Sequence, residues 1–186
     1  MSSRVLVNYR NGNILFFIEQ LTENTLLDSF SCRIAEYNNY LLNDALRSQN
    51  DHVALTWLLR ERTIGEIAAY MSLITDAIKL SASEKEIHNL KYPFKTIPAI
   101  KMAKLAVSGI VKEKYRGLGT YMVNKALHIA RVCSRQLCAA RFLTVDADIE
   151  HDKGVIAFYE KNGFIPNAEL YNRNRKTISM RKDLYD

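Results

Sequence analysis

The chain has 186 residues with a formal net charge of +6, 48% hydrophobic and 25% charged residues, which is ordinary for a soluble globular protein with one sizeable core. The longest apolar runs, such as Ile14-Leu15-Phe16-Phe17-Ile18, are far too short to span a bilayer, and Met1-Ser2-Ser3-Arg4 leads into no signal-peptide core. No membrane partner and a cytoplasmic location are therefore expected.

Asn11-Gly12 is a hairpin-turn signal and predicts paired strands over Val5–Tyr9 and Ile14–Glu19. Ile34 to Leu46 reads as a helix, with Ile34, Tyr37, Leu41, Leu42 and Ala45 on one face. Two strand-like runs follow, His52–Leu59 and Thr63–Ile74, separated by the charged turn Arg60-Glu61-Arg62. Ser81–Thr96 is polar and interrupted by Pro93, a long connection with a short helix around Ser83–Leu90. Pro98 precedes an apolar strand, Ile100–Val107, and Leu118–Leu137 reads as a long amphipathic helix. Arg141–Ala147 reads as a mostly buried strand, and Lys153–Asn162 as a short helix with Gly163 at its stop position. Phe164–Leu170 and Thr177–Met180 are the last strands. This order predicts an α/β fold with a mixed, mostly antiparallel central sheet flanked by helices, in a single domain over 1–186, since no Pro/Gly/Ser-rich linker divides it.

Between the apolar strand and the long helix lies Lys114-Tyr115-Arg116-Gly117-Leu118-Gly119-Thr120. A helix N-terminus offers backbone N–H groups without intrahelical partners and the positive end of the helix dipole, so such a turn is able to hold a phosphate or pyrophosphate. Gly117 and Gly119 leave the approach open, and Lys114 and Arg116 add charge. A plain strand-to-helix connection uses the same residues. No Gly-Lys-Ser/Thr follows, which excludes a P-loop, and the third glycine of a dinucleotide fingerprint is missing. From Lys101 to Arg135, Lys101, Lys104, Lys112, Lys114, Arg116, Lys125, Arg131 and Arg135 face one acid, Glu113, and Arg173, Arg175, Lys176, Arg181 and Lys182 form a second basic block. Such potential attracts anionic cofactors or nucleic acids, or else simply solvates a surface. Cys32, Cys133 and Cys138 have no metal spacing and read as reduced thiols, and the four histidines, His52, His88, His128 and His151, offer no ligand pair, so no metal is expected.

Three features in order resemble the GNAT superfamily of acetyl-CoA-dependent N-acetyltransferases. Leu105-Ala106-Val107 resembles the strand whose splayed end receives the acetyl-pantetheine arm. Arg116-Gly117-Leu118-Gly119-Thr120-Tyr121 resembles the Gln/Arg-x-x-Gly-x-Gly/Ala pyrophosphate loop, and Phe158-Tyr159-Glu160-Lys161-Asn162-Gly163-Phe164 the Phe-Tyr-x-x-x-Gly-Phe helix end. The resemblance implies acetyl-CoA as co-substrate, bound by Leu105, Ala106, Val107 and by Lys114, Tyr115, Arg116, Gly117, Leu118, Gly119 and Thr120, with Tyr159 as the catalytic acid. Three departures stand out: Tyr121 where glycine or alanine is usual, a longer Val107–Arg116 stretch in which Ser108-Gly109 suggests a bulge or longer turn, and Asp152 where an asparagine often precedes the helix.

Phe30-Ser31-Cys32, Glu36-Tyr37-Asn38, Tyr40-Leu41, Ala45, Ile67–Leu73 and Pro98–Val107 are similar to a bacterial branch that includes toxins of toxin–antitoxin pairs, which acetylate aminoacyl-tRNA. That branch implies tRNA, an antitoxin protein and a homodimer as partners. The chemistry implied is direct transfer to a primary amine. A backbone N–H near Val107 would steady the developing oxyanion, Tyr159 would protonate the thiolate, and Glu66 or Asp146 would act as base through water. A small-molecule or peptide N-acetyltransferase, or an inactive coenzyme-binding module, remains the alternative.

Overall fold

A computed structural model describes residues 16–27, 29–167 and 176–186. The strand expected over Val5–Tyr9, the Asn11-Gly12 turn and the last residues of the strand expected over Phe164–Leu170 lie outside the described residues. Seven strands are described, β1 (Phe16–Gln20), β2 (Leu55–Glu61), β3 (Ile67–Ile78), β4 (Ile97–Val107), β5 (Phe142–Asp148), β6 (Ile165–Pro166) and β7 (Thr177–Asp183). They form a mostly antiparallel sheet in the order β1-β2-β3-β4-β5-β7-β6. The α/β class expected from the element order is the one observed. Backbone contacts divide the chain into two units, Met1–Ile74 with Ala103–Asn124, and Thr75–Met102 with Lys125–Asp186.

In the first unit, α1 (Ala35–Asn39), a π-helical turn (Tyr40–Asp44) and α2 (Ala45–Asn50) run end to end, so the expected Ile34–Leu46 helix is longer by a turn and changes pitch in its middle. Its apolar face carries Leu41 and Ala45 into a core with Leu21, Phe30, Leu58, Ile67, Tyr70 and Ala106. The reversal between β2 and β3 falls later than expected. Arg60 and Glu61 belong to β2: Arg60 Nε donates to Glu19 Oε1 at 2.7 Å, and the buried Glu61 accepts from the Ile64 amide at 2.9 Å. The Glu61 amide closes the loop onto Glu66 O at 2.8 Å, so β3 starts at Ile67 rather than Thr63. The bulge or turn expected at Ser108-Gly109 is instead a short helix, α4 (Gly109–Lys114), which buries Val111.

In the second unit, α3 (Ala82–Ile87) starts at a capping box in which Ser81 Oγ accepts from the Glu84 amide and Glu84 Oε2 from the Ser81 amide. β4 and β5 pair in parallel over Ala99–Lys101 and Phe142–Thr144, and β4 then continues to Val107 outside that pairing. β5 and β7 are antiparallel along their whole length, from Phe142↔Asp183 to Asp148↔Thr177. The strand expected from Phe164 is a two-residue β6, Ile165–Pro166, against Met180 and Arg181. α6 (Val155–Lys161) ends where expected, with Gly163 at φ +82, a left-handed conformation that side chains resist. A buried polar network ties the unit together. Arg181, 1% exposed, donates to Glu84 Oε1 at 2.7 Å and Asn167 Oδ1 at 2.8 Å, while Asp183 accepts from Arg141 at 2.6 Å and lies 3.0 Å from His88 Nδ1.

Candidate active site

The turn singled out in the sequence opens α5 (Leu118–Gln136) in the first unit. Gly117 has φ +83, which a β-carbon would strain, and its carbonyl accepts from the Tyr121 amide at 2.9 Å. The first-turn amides of Leu118, Gly119 and Thr120 precede that bond and have no intrahelical acceptor, so the positive end of a 19-residue helix opens onto an exposed Gly117. Arg116 and Thr120 are exposed. Tyr115 and Leu118 point the other way, buried at 6% and 3%, and the Tyr115 ring meets Phe16 edge-on at 5.2 Å. The side chains of those two residues are therefore withdrawn from the surface of the turn.

The end of β4 lies in the same unit. Ala106 is in the core, while Leu105 and Val107 are half-buried. The Ser108 amide donates to Ala68 O at 2.9 Å and the Gly109 amide to Ser31 O at 2.8 Å, so neither is available to a substrate. Amides alternate along a strand, and since Ser108 N–H points to β3, Val107 N–H points away from it. Two further groups here escape sequence reasoning. Ser108 Oγ and the Tyr121 hydroxyl are buried without a hydrogen-bond partner among the described residues, and burial raises the Tyr121 pKa. Tyr121 was legible only as a departure from the loop motif; its side chain carries the hydroxyl into a buried position.

Tyr159 sits on α6 in the second unit, 7% exposed, its ring edge-on to Phe158 at 5.1 Å and Phe164 at 5.3 Å. Burial first, and then the Asp146 charge, hold its hydroxyl pKa well above the ordinary phenol value. The group is therefore a neutral proton donor at physiological pH. Asp146 is exposed on β5 and bound to Lys101 Nζ at 3.0 Å, with Asp76 3.7 Å from the same ammonium. Glu66 lies half-buried in the β2–β3 loop rather than on a strand, and its backbone carbonyl takes the Glu61 amide. The structure thus gathers Leu105–Val107 and the Gly117 turn in one unit and Tyr159 with Asp146 in the other.

Part of the basic block is engaged internally. Besides Lys101, Lys104 binds Glu36 at 2.8 Å and lies over the Tyr37 ring at 4.8 Å, and Arg131 donates to Leu184 O at 2.7 Å. Burial lowers the Lys125 pKa. His88, Asp183 and Asp186 bring ligand-type atoms within 4.8 Å of one another, a cluster that sequence spacing did not reveal. Arg141 and Arg181 contribute two guanidinium groups to the same network, which opposes a further cation.

No family model and no curated protein matches the chain. Solved structures do. AtaT complexed with acetyl-methionyl-tRNAfMet is 22% identical over 88% of this chain and 93% of that one, with a TM-score of 0.74. A tyrosine-to-phenylalanine mutant of KacT is 17% identical over 91% and 95%, TM-score 0.74. AtaTR bound with acetyl-CoA is 21% identical over 91% and 94%, TM-score 0.71. At these identities the likeness is one of fold: the chain shares the GNAT-type fold of these structures, the fold its motifs led us to expect.

Proposed function

We propose that the chain is an acetyl-CoA-dependent N-acetyltransferase that passes the acetyl group directly to a primary amine, with aminoacyl-tRNA as the acceptor, in a toxin-like role. The observation that carries the reading is the left-handed Gly117 turn at the head of α5, with its unpartnered amides and exposed Arg116. There the coenzyme's pyrophosphate would accept from backbone amides while Lys114 and Arg116 balance its charge. Val107 N–H, turned away from β3, would donate to the thioester carbonyl as it gains negative charge. The amine would attack that carbon, the C–S bond would break as Tyr159 gives its proton to the departing thiolate, and the proton lost from the attacking nitrogen would pass through water to Glu66 or Asp146 and from solvent back to Tyr159. Burial first, with the Asp146 charge adding to it, would keep Tyr159 protonated until that step.

The relatives in fold support the reading through their ligands. One is solved with an acetylated aminoacyl-tRNA, one with acetyl-CoA, and one with the C-terminus of an antitoxin. An antitoxin protein and a homodimer belong to the same proposal, as does a single-domain enzyme acting in the cytoplasm; among the described residues no helix is long and apolar enough to cross a membrane. A small-molecule or peptide acceptor is the second reading, favoured by the internal pairing of Lys101, Lys104 and Arg131, which removes three cations from those open to a polyanion. Acetylation of aminoacyl-tRNA against the matched free amino acid, across a salt series, decides between them. The first reading requires a tRNA preference that weakens steeply with salt; equal use of free amines establishes the second.

A further inference from the structure

The second unit carries an open groove of about 600 Å³ lined by twelve residues, among them His88, Tyr92, Phe94, Ser134, Arg141 and Tyr185. Arg141 stands just before β5 and Asp146 five residues along it, so at ~3.3 Å per residue the groove opens about 16 Å from the Asp146 end. It is a separate feature from Tyr159.

Its chemistry is aromatic and basic. Lys91-Tyr92-Pro93-Phe94-Lys95 is exposed at every position. Tyr92 and Phe94, at 60% and 62% exposure, stack on each other with centroids 6.2 Å apart and planes 22° from parallel. Exposing two large rings is unfavourable in water, and stacking leaves an outer face of each ring open. The segment is anchored rather than loose, because Lys85 Nζ donates to Phe94 O at 2.8 Å. Tyr185, 43% exposed, is held by its hydroxyl bond to Ser134, and the guanidinium carbons of Arg135 and Arg141 lie 5.8 and 5.6 Å from its ring. No carboxylate lines the groove. Asp183 is already bound to Arg141 and lies beside His88, and Asp186 is exposed.

Flat open ring faces interleaved with lysine and arginine are the recognition chemistry of a single-stranded nucleic acid, whose bases all have a π-face and whose backbone is a polyanion. We propose that this groove docks a single-stranded RNA segment, with bases stacking on the Tyr92–Phe94 pair and on Tyr185, and phosphates meeting Lys91, Lys95 and Arg135. An acidic peptide would satisfy the cations but leave the parallel ring faces unused. The site adds an RNA contact to the reading above and requires no acetyl transfer. RNA binding without acetylation would overturn that reading and leave this one standing.

The test is fluorescence anisotropy of the full chain with a labelled single-stranded oligoribonucleotide, its duplex form and an acidic peptide as probes, over a salt series. Single-strand binding is expected to exceed duplex binding. Tyr92→Ala with Phe94→Ala should weaken it about ten- to hundredfold, the range for loss of base stacking. Lys91→Ala with Lys95→Ala should reduce the log–log salt slope by about 1.4, at ~0.7 per contact on a single strand. All four side chains are exposed, and circular dichroism confirms that the variants fold. Ultraviolet cross-linking of wild-type complexes should place the RNA on peptides containing Tyr92, Phe94 or Tyr185. Unchanged RNA affinity and slope in both variants, cross-links confined elsewhere, or loss of peptide binding alone would overturn the proposal, the last by assigning the groove to a protein partner.

Discussion

Tyr159→Phe separates chemistry from stability in a way the structure makes quantitative. The ring is 7% exposed and fixed edge-on between Phe158 and Phe164, contacts that phenylalanine reproduces. Phenylalanine therefore removes only the hydroxyl and keeps the ring packing. At most one net hydrogen bond is at stake, so unfolding in urea should shift by no more than about 1.5 kcal/mol. If this hydroxyl protonates the leaving thiolate, turnover should fall about 10²- to 10⁴-fold, or ~2.7–5.5 kcal/mol of barrier. Free-thiol release measures turnover, calorimetry the acetyl-CoA affinity, and urea titration the stability. Turnover at the wild-type rate would refute the assignment and give the proton to water. A stability loss as large as the activity loss would refute the separation of chemistry from stability.

Gly117→Asp should abolish acetyl-CoA binding by placing a carboxylate at the helix N-terminus. Gly117→Asn, which tolerates the φ of +83 and carries no charge, should bind measurably better in the same calorimetric titration. Arg181→Met leaves Glu84 buried without its 2.7 Å partner and should cost about 3–5 kcal/mol in urea unfolding, part of which Glu84→Met in the same chain should restore. The raised Tyr159 pKa makes the folded state keep a proton that the unfolded chain releases near the ordinary value of 10.0. Its contribution is therefore intact below about pH 10 and declines as pH rises above it, so Tyr159→Phe should flatten the alkaline arm of the stability curve.

What the sequence made legible was what is periodic or local. The apolar run into β4, the amphipathic α5 and the glycine that ends α6 follow from patterns within a few residues, and all three stand close to where those patterns placed them. The β2–β3 reversal was misplaced because charge normally marks a turn. Arg60 and Glu61 are instead strand residues, held by Glu19 and by the Ile64 amide. The helix α4 was invisible because six residues beginning with glycine carry no periodicity, and its length alone explains the long Val107–Arg116 interval. The network joining Glu84, His88, Arg141, Arg181 and Asp183 was beyond reach for a different reason: its bonded pairs are up to 97 residues apart and only the fold brings them together.

The cations show where composition stops being informative. The eight basic residues from Lys101 to Arg135 look alike in the sequence, yet the fold gives them different fates. Lys101 and Lys104 pair with Asp146 and Glu36, Arg131 holds the chain at Leu184, and burial lowers the Lys125 pKa. Arg116 stands exposed at the α5 turn and Arg135 beside Tyr185. Lys91 and Lys95, which lie outside the basic block, are exposed beside the aromatic groove. A charge count made the block the case for an RNA-borne acceptor. On the docking proposal made above, much of that case would move to a segment, Lys91–Lys95, that the sequence presented as a polar connection.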